Sequence, residues 1–337
     1  MLNSYIYPIS ARSSKTIVNP YLDHFMGALE PRFVFVNKDA PSGKGIMDIM
    51  KYLPKIDFVF FHWPENIAER KFGWMQALIL FFLIPVFRIR NIRIIYVVHN
   101  KISHSQKKIR VKKLISKVLM NASWLLITHA DEGVDFIKTL ISSKKKIFYF
   151  PHPIDRPDNV NSAEKDIDVL IWGNIAPYKG VHNFLKSLNN QSSGWKGRVV
   201  IAGKVSTPEY KQQLLANKTE NVTIIDDFVD DNTLNKLISR SRIVLFPYHQ
   251  KSVLSSGAFA KTLAYPVHIV GPGCGAFLDF KELEHIHIFD DQEHIFDIIS
   301  SIDFNKNHSV HPGISLELIH NYSWESFGKA FLNYLEN

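Results

Sequence analysis

The sequence has 337 residues, of which 46% are hydrophobic and 21% are charged. This composition supports two domains of ordinary size and excludes a disordered or collagen-like chain. The net charge of +8 is uneven, because residues 1–150 carry 23 Lys and Arg against 10 Asp and Glu. Such an excess predicts an anionic partner for the first half: nucleic acid, an anionic membrane surface or a phosphorylated acceptor.

The cysteine count and the apolar runs bear on the cellular compartment. The single cysteine, Cys274, excludes an intrachain disulfide and favours the cytoplasm. The N-terminal segment lacks the basic start and apolar core of a signal peptide, and we interpret it as a first strand. The longest apolar run, residues 77–87, is shorter than the roughly 20 residues of a membrane-spanning helix. We therefore expect a soluble or peripheral protein.

In chain order, short apolar runs alternate with helical patterns. This alternation predicts parallel sheets that are covered by helices on both faces. In the first half we predict helices at residues 45–53 and 131–141, and strands at residues 5–9, 33–36, 58–62, 92–99, 124–128 and 147–150. The segment from Pro151 is rich in Pro, Asn and Asp and is typical of a linker.

A second alternation follows the linker, with strands predicted at residues 168–172, 198–202, 222–225, 243–247, 267–270 and 287–289. The predicted fold class is α/β, with two Rossmann-like doubly wound domains that face each other across a cleft. Ligands of such sheets collect where the carboxyl ends of the strands open into the cleft. The alternation alone fits any two-domain α/β protein, so the function has to be argued from the sites.

The loop after the first strand of the second half contains a lysine and two glycines. In WGNIAPYKG, Lys179 lies between Gly173 and Gly180, just before a predicted helix. Free backbone N–H groups and the helix dipole make such a loop suitable for an anion. The next strand is followed by Lys204, and two lysines at neighbouring strand ends fit a diphosphate. Either lysine taken alone is more typical of a solvated surface.

A serine and a glycine begin the helix that follows the strand IVLFPY. Ser256 is a preferred N-cap residue, and Gly257 allows a ligand to approach the backbone closely. A phosphate at this helix end would interact with the helix dipole and several N–H groups. Ordinary capping explains one serine well and the Ser-Ser-Gly run less well.

These segments follow one another as in the donor-binding domain of GT-B glycosyltransferases, and the chain resembles family four of that group. The resemblance rests on WGNIAPYKGV, VIAGK, DDFVDDNTL, LSSGAF with PVHIVGPGCG, VVHN and FPHPID. It implies an N-terminal acceptor-binding domain at residues 1–150, to which a C-terminal helix at about 322–337 crosses back. Residues 151–321 would form the nucleotide-sugar-binding domain.

The anion-binding loops and the resemblance together predict individual roles. The donor diphosphate would be bound by Gly173, Lys179, Lys204, Ser256, Gly257 and Ala258. The catalytic candidates are Lys179, on the leaving phosphate, and His99, near the donor sugar. A retaining reaction would need no enzyme base, whereas an inverting reaction would need one in the first domain. The candidates for that base are His62, Glu65, His99 and His104.

The chain departs from the family pattern where the family carries two glutamates. Those positions hold Val253 and Lys261, and the arginine expected before the YKG lysine is replaced by Asn174 or Ala176. The Ser-Gly form resembles a subset of bacterial exopolysaccharide and capsule transferases in which the same glutamates are replaced.

The basic stretch of the first half has two interpretations. Twelve basic residues and no acidic ones occur between Glu69 and Asp131. Arg110, Lys113 and Lys117 share one face of a helical pattern at residues 105–120, as expected for a solvated helix. Together with residues 77–87, they also fit a surface that docks on an anionic membrane. The apolar run fits a buried helix equally well.

We predict a metal-independent hexosyltransferase that uses GDP- or UDP-sugar, with a lipid-linked or oligosaccharide acceptor, in surface polysaccharide synthesis. No Asp-x-Asp pair ends a strand, so neither a metal nor a further cofactor is predicted. A GT-B sugar epimerase is an alternative that would not need the basic surface. A nucleic-acid-binding protein would explain the charge, but no recognition module is present. The expected location is the cytoplasm, with peripheral attachment to the inner face of the plasma membrane as an option.

Overall fold

The computed structural model describes residues 1–9, 20–40, 43–101, 107–142, 144–157, 164–190, 195–250, 253–302 and 310–337. The chain divides into two compact units, one of Met1–Pro151 with Trp324–Asn337 and the other of His152–Ser323. Within the described ranges, each unit contains a parallel sheet of six strands with flanking helices. The predicted pair of Rossmann-like domains is confirmed.

The first unit is built on a parallel sheet of six strands. Its strands are β1 (Leu2–Tyr7), β2 (Phe33–Phe35), β3 (Phe58–His62), β4 (Arg93–Val98), β5 (Leu125–Thr128) and β6 (Lys146–Tyr149), in the order β2-β1-β3-β4-β5-β6. All six predicted strands are present. β1 begins earlier than predicted, because the polar residues Asn3 and Ser4 pair in parallel register with Val34 and Phe35 of β2.

The last helix of the chain belongs to the first unit. The helices of this unit are α1 (Tyr21–Leu29), α2 (Ile49–Tyr52), α3 (Gly73–Ile89), α4 (Ile109–Ala122), α5 (Asp131–Leu140) and, at the end of the chain, α12 (Trp324–Glu336). Phe327 and Phe331 of α12 are fully buried in the same core cluster as Phe25 of α1. A Cβ atom on Gly328 would lie 2.3 Å from the carbonyl oxygen of Ala28, so the two helices pack at close range. The predicted crossing of the C-terminal helix to the first domain is confirmed.

The second unit repeats the architecture with a different strand order. Its strands are β7 (Ile167–Trp172), β8 (Val199–Ala202), β9 (Val222–Ile225), β10 (Ser241–Leu245), β11 (His268–Pro272) and β12 (Ile286–Phe289), in the order β12-β11-β10-β7-β8-β9. The helices are α6 (Val181–Asn189), α7 (Pro208–Ala216), α8 (Asp231–Ser239), α9 (Gly257–Thr262), α10 (Ile295–Ser301) and α11 (Pro312–Tyr322). The chain runs outward from β7 through β8 to β9 and then returns to β10 on the other side. The strand order therefore switches between β7 and β10.

None of the helices in the described part of the chain combines the length and the apolar character that crossing a membrane requires. The predicted apolar run at residues 77–87 lies inside α3, which has 17 residues.

Candidate functional site

The switch point of the second sheet determines where a ligand is expected. In open α/β sheets, ligands bind outside the carboxyl ends of the strands at the place where the strand order reverses. Here the reversal lies between β7 and β10, which pair in parallel register. The loops that follow these two strands contain the predicted anion-binding residues, since Gly173 comes directly after β7 and Ser256 comes ahead of α9. The sheet topology thus brings the two sequence motifs to one edge.

The glycine loop after β7 is pressed against the segment after β10. Gly180 has a φ of +70°, and a Cβ atom there would lie 1.9 Å from the carbonyl oxygen of Pro247. Only glycine fits this left-handed, crowded position. The loop between Ala176 and Gly180 forms a short 3-10 turn, Pro177–Lys179, which ends at Gly180. Lys179 is the last residue of this turn, and its side chain is buried.

Lys179 is a buried cation without a carboxylate partner among the described residues. Only 6% of its surface is exposed. Its Nζ atom lies 5.3 Å from the ring centroid of Tyr248, and no ion pair of the described residues includes it. Burial lowers the pKa of its amine. A buried charge is costly unless it is paired, so this position favours an anionic ligand.

The beginning of α9 lies beside the glycine loop. The hydroxyl oxygen of Ser256 accepts a hydrogen bond from the backbone N–H of Phe259 at 3.2 Å and lies 3.3 Å from the hydroxyl of Tyr248. A Cβ atom placed on Gly173 would be 3.9 Å from the Cβ of Ala258 and 2.9 Å from Nζ of Lys179. The loop glycine, the lysine and the first turn of the helix therefore converge on a small volume.

The serine hydroxyl is engaged as a helix cap, which leaves the backbone as the source of donors. The first N–H groups of a helix have no intrahelical acceptor. In α9 these groups belong to Gly257 and Ala258, whereas the N–H of Phe259 is bonded to Ser256. The two remaining N–H groups suit the oxygen atoms of a phosphate.

Gly257 lies next to a histidine, His152, that was not among the sequence candidates. A Cβ atom on Gly257 would lie 3.6 Å from Nε2 of His152. The Nδ1 atom of His152 is 3.0 Å from the carbonyl oxygen of Pro153, so it carries the proton and donates to that oxygen. Burial lowers the pKa of His152 and favours the neutral ring. The motif FPHPID was the available signal, but it does not show which side chain it brings to α9.

Lys204 has a different environment from Lys179. Its side chain is 61% exposed and lies 3.4 Å from Oδ1 of Asp226, which also pairs with Lys211 at 2.9 Å. The backbone N–H of Val205, followed by Lys211, lowers the pKa of Asp226 to about 2. Lys204, which follows β8, is therefore exposed and already paired with the carboxylate of Asp226. Its role in donor binding stays a prediction.

The two positions at which family-four glycosyltransferases carry glutamates hold no acidic side chain in this chain. Val253 is buried, and the Nζ atom of Lys261 forms an ion pair with Asp231 at 2.6 Å. Helix α9, which contains Lys261, is joined to β7, because Nε1 of Trp172 donates to the hydroxyl of Thr262 at 3.1 Å.

In the first unit, two predicted histidines lie together. His62 ends β3 and His99 follows β4, and these strands are neighbours. Nε2 of His99 lies 3.1 Å from Nδ1 of His62, and the His99 ring stacks on Trp63 with centroids 4.2 Å apart. Nε2 of His62 is buried without a hydrogen-bond partner among the described residues. Burial, and then the neighbouring His129, lowers the pKa of His62 well below its ordinary value.

A third histidine, His129, extends this cluster and was not among the sequence candidates. It follows β5, so three adjacent strands are each completed or followed by a histidine. Nδ1 of His129 donates to the carbonyl oxygen of Phe150 at 2.9 Å. In the neutral ring Nε2 then accepts a hydrogen bond from the hydroxyl of Tyr21, at 2.6 Å. The sequence THAD after β5 was a signal of the same kind as VVHN.

The remaining candidates of the first unit are dispersed. Glu65 is buried in the 3-10 turn Pro64–Glu69, where burial raises its pKa and the hydroxyl of Tyr96 lies 3.5 Å from its carboxylate. Arg110, Lys113 and Lys117 are exposed on α4. His104 lies outside the described residues.

The fold matches solved structures along the whole chain. Anabaena HepE in complex with UDP-glucose has a TM-score of 0.68 at 11% identity, with 100% of both chains covered. Sucrose-phosphate synthase from Thermosynechococcus elongatus has a TM-score of 0.70 at 11% identity, with 99% of this chain and 98% of that chain covered. AviGT4, a glycosyltransferase involved in avilamycin A biosynthesis, has a TM-score of 0.59 at 12% identity, with coverages of 99% and 97%.

The comparisons establish the architecture of the chain. No protein-family model and no curated protein sequence matches it. The structural matches identify its fold as the GT-B fold of glycosyltransferases, with two Rossmann-like domains.

Proposed function

We propose that the protein is a glycosyltransferase that transfers a hexose from a nucleoside-diphosphate sugar. The observation that carries this proposal is the buried ammonium of Lys179, which has no carboxylate partner among the described residues. It lies beside Gly173 and the first turn of α9, at the switch point of a Rossmann-like sheet. A diphosphate would supply the missing negative charge and accept from the free N–H groups of the helix.

The same groups would assist the chemical step. When the bond between the anomeric carbon and the diphosphate oxygen breaks, negative charge develops on the leaving nucleoside diphosphate. The ammonium of Lys179 and the N–H groups of Gly257 and Ala258 would stabilise this charge, and preorganised donors of this kind contribute strongly to rate. An acceptor hydroxyl forms the new bond to the anomeric carbon and loses its proton.

The destination of that proton differs between the two stereochemical outcomes. In a retaining reaction the leaving phosphate oxygen would accept it, and no enzyme base is needed. In an inverting reaction the candidate base is His99, whose ring is held by stacking on Trp63 and by the contact with His62. His62 itself is completely buried, so within this pair it would act by orienting His99.

The finer parts of the proposal concern donor and acceptor. Structurally similar HepE was solved with UDP and with UDP-glucose, which supports a UDP-sugar as the first donor to test and a GDP-sugar as the second. We place the protein in the family-four subset with the Ser-Gly motif, acting on a lipid-linked or oligosaccharide acceptor in surface polysaccharide synthesis. A peripheral location at the inner face of the plasma membrane belongs to the same proposal.

Thermal-shift measurements with UDP, GDP and their glucose and mannose conjugates test the donor site. A ligand at 100 times its Kd should stabilise the protein by about 2.7 kcal/mol. The Lys179→Met variant should lose this shift, whereas Lys186→Met, on the exposed side of α6, should keep it. Absence of a shift with every nucleotide, or an equal shift in the Lys179 variant, would reject the proposed site.

Metal independence is tested in the same preparation. We expect the transfer rate to be unchanged after EDTA treatment, because the cationic charge on the leaving phosphate would come from Lys179. A loss of activity that Mn²⁺ or Mg²⁺ restores would show that the lysine is not sufficient.

A further inference from the structure

Helix α3 is apolar on the side that faces solvent as well as on the side that faces the sheet. Leu80, Leu83 and Phe87 are buried on its inner side. The exposed residues of the helix that are not charged are Trp74, Leu78, Phe82, Pro85 and Ile89. They recur every three or four positions, which places them in one line along the helix. We call this line the apolar stripe.

The apolar stripe is too extensive to be scattered surface hydrophobicity. Trp74, Phe82 and Ile89 are 66%, 74% and 82% exposed. Of the twelve exposed large hydrophobic residues in the described part of the chain, six lie in the stripe or beside it: Phe72, Trp74, Leu78, Phe82, Ile89 and Leu114 of the neighbouring α4. A helix that is apolar all round is normally covered by protein or lipid, and a clustered apolar patch of this kind marks an interaction site.

Basic residues lie at both ends of the stripe and on the neighbouring helix α4. Arg70 and Lys71 precede α3, and Arg88 and Arg90 lie at its C-terminal end. On α4, which contacts α3, the exposed basic residues are Arg110, Lys113 and Lys117. None of these three pairs with a carboxylate among the described residues. We call these three residues of α4 the basic surface.

We propose that the apolar stripe inserts into the headgroup region of an anionic lipid bilayer, with α3 lying in the membrane plane and the basic surface contacting lipid phosphates. Charge complementarity supports lipid as the occupant, since no acidic residue occurs between Glu69 and Asp131. Helices that lie in the interface combine an aromatic and aliphatic face with flanking basic residues. Trp, Phe and Leu are typical of the buried face of such helices, and the amphipathic indole of Trp favours the headgroup level.

This inference specifies the peripheral attachment that forms part of the proposed function, and it can be tested without the donor site. Sedimentation would compare vesicles of phosphatidylcholine alone with vesicles that also contain phosphatidylglycerol. We expect binding to the mixed vesicles only, with a steep decrease at high salt, because the screening length falls from about 8 Å at physiological ionic strength to about 3 Å at 1 M.

Two sets of variants separate the contributions of the stripe and the charge. The double variant Trp74→Ser with Phe82→Ser should weaken vesicle binding roughly tenfold or more, because two large apolar side chains would no longer be buried in the bilayer. Reversal of Arg110, Lys113 and Lys117 to glutamate should abolish binding, since each basic residue contributes about fivefold. The control for the stripe variant is Leu215→Ser with Phe228→Ser. The control for the charge reversal is replacement of Lys186, Lys196 and Lys218 by glutamate. All five residues are exposed in the second unit.

Tryptophan quenching by bromine-labelled lipid reports insertion directly. We expect a quenched component in the wild type that is absent from Trp74→Phe. Equal binding to neutral and mixed vesicles, no binding to either, or unchanged binding in the stripe variants would overturn the inference. A wild-type dimer that becomes monomeric in Trp74→Ser with Phe82→Ser would also overturn it and assign the stripe to a second copy of the chain. Retained nucleotide-induced thermal shifts in these variants would leave the proposed function intact.

Discussion

A Cβ atom on Gly173 would lie 2.9 Å from the Nζ atom of Lys179. The glycine that follows β7 therefore leaves the space that the buried ammonium occupies. The φ of +104° at Gly173 also lies in a region that other residues rarely adopt. A side chain at position 173 would therefore compete with the ammonium of Lys179 for this space.

The Gly173→Ala substitution should displace the ammonium and strain the backbone. Strain of this kind costs about 1–3 kcal/mol. We expect nucleotide affinity, measured by calorimetry, to fall by roughly tenfold or more, together with a lower melting temperature. Gly27→Ala in α1 is the control, since a Cβ atom there has no neighbour within 4 Å. Unchanged affinity in Gly173→Ala would separate the glycine from the donor site.

The Lys179→Met substitution should affect stability and activity in opposite directions. A buried charge without a partner destabilises the unliganded fold, and a thioether side chain of similar length removes this cost. We expect a higher melting temperature without nucleotide, and a value of kcat/KM lower by about 100-fold. A variant that loses both stability and activity would instead identify Lys179 as a structural residue. Lys186→Met should change neither quantity.

Substitutions of Gly257 test the helix end directly. The position has room for a side chain, because a Cβ atom would contact only the His152 ring, at an ordinary 3.6 Å. We therefore expect Gly257→Ala and Gly257→Val to fold, as circular dichroism would show. Nucleotide affinity should decrease from glycine to alanine to valine as the branched side chain fills the space of the phosphate. Equal affinity in all three proteins would move the diphosphate elsewhere.

The second unit should lose stability in mild acid because of a buried histidine cluster. Nδ1 of His268 lies 3.1 Å from Nε2 of His287, and both ring nitrogens of His285 are without a hydrogen-bond partner among the described residues. Burial, and then the neighbouring histidines, lowers the pKa values of His268 and His285 to about 4; Lys165 adds to the effect on His268. Their unfolded value is about 6.5. The unfolded chain therefore binds more protons between these two values.

The sign of the pH dependence follows from these lowered pKa values. The contribution to stability is complete above pH 6.5 and is lost as the pH falls towards 4, at about 1.4 kcal/mol for each pKa unit. Urea unfolding at several pH values in this range should show the decrease. His285→Gln should reduce the slope, whereas the exposed His294→Gln should leave it unchanged. An identical slope in His285→Gln would exclude this histidine as a cause.

Much of the fold follows from local patterns in the sequence. Buried strands of parallel sheets are continuous apolar runs, so all twelve strands could be found without knowledge of their neighbours. The loops that precede α6 and α9 could be found for the same reason, because glycine, serine and lysine near a helix start have local meanings. The three histidines of the first sheet are likewise visible as residues at the ends of strands, although His129 was overlooked.

Only the tertiary structure distinguishes residues that look alike in the sequence. Lys179 and Lys204 both follow strands of the second sheet, but only Lys179 is buried without a carboxylate partner among the described residues, whereas Lys204 pairs with Asp226. Residues 77–87 fitted either a buried helix or an exposed one, and α3 has one buried side and one exposed side. Burial and pairing depend on segments that are separated in the chain, such as the residues after β8 and the residues after β9. Local periodicity predicts which elements form, and only packing between them determines which charges and apolar side chains stay exposed.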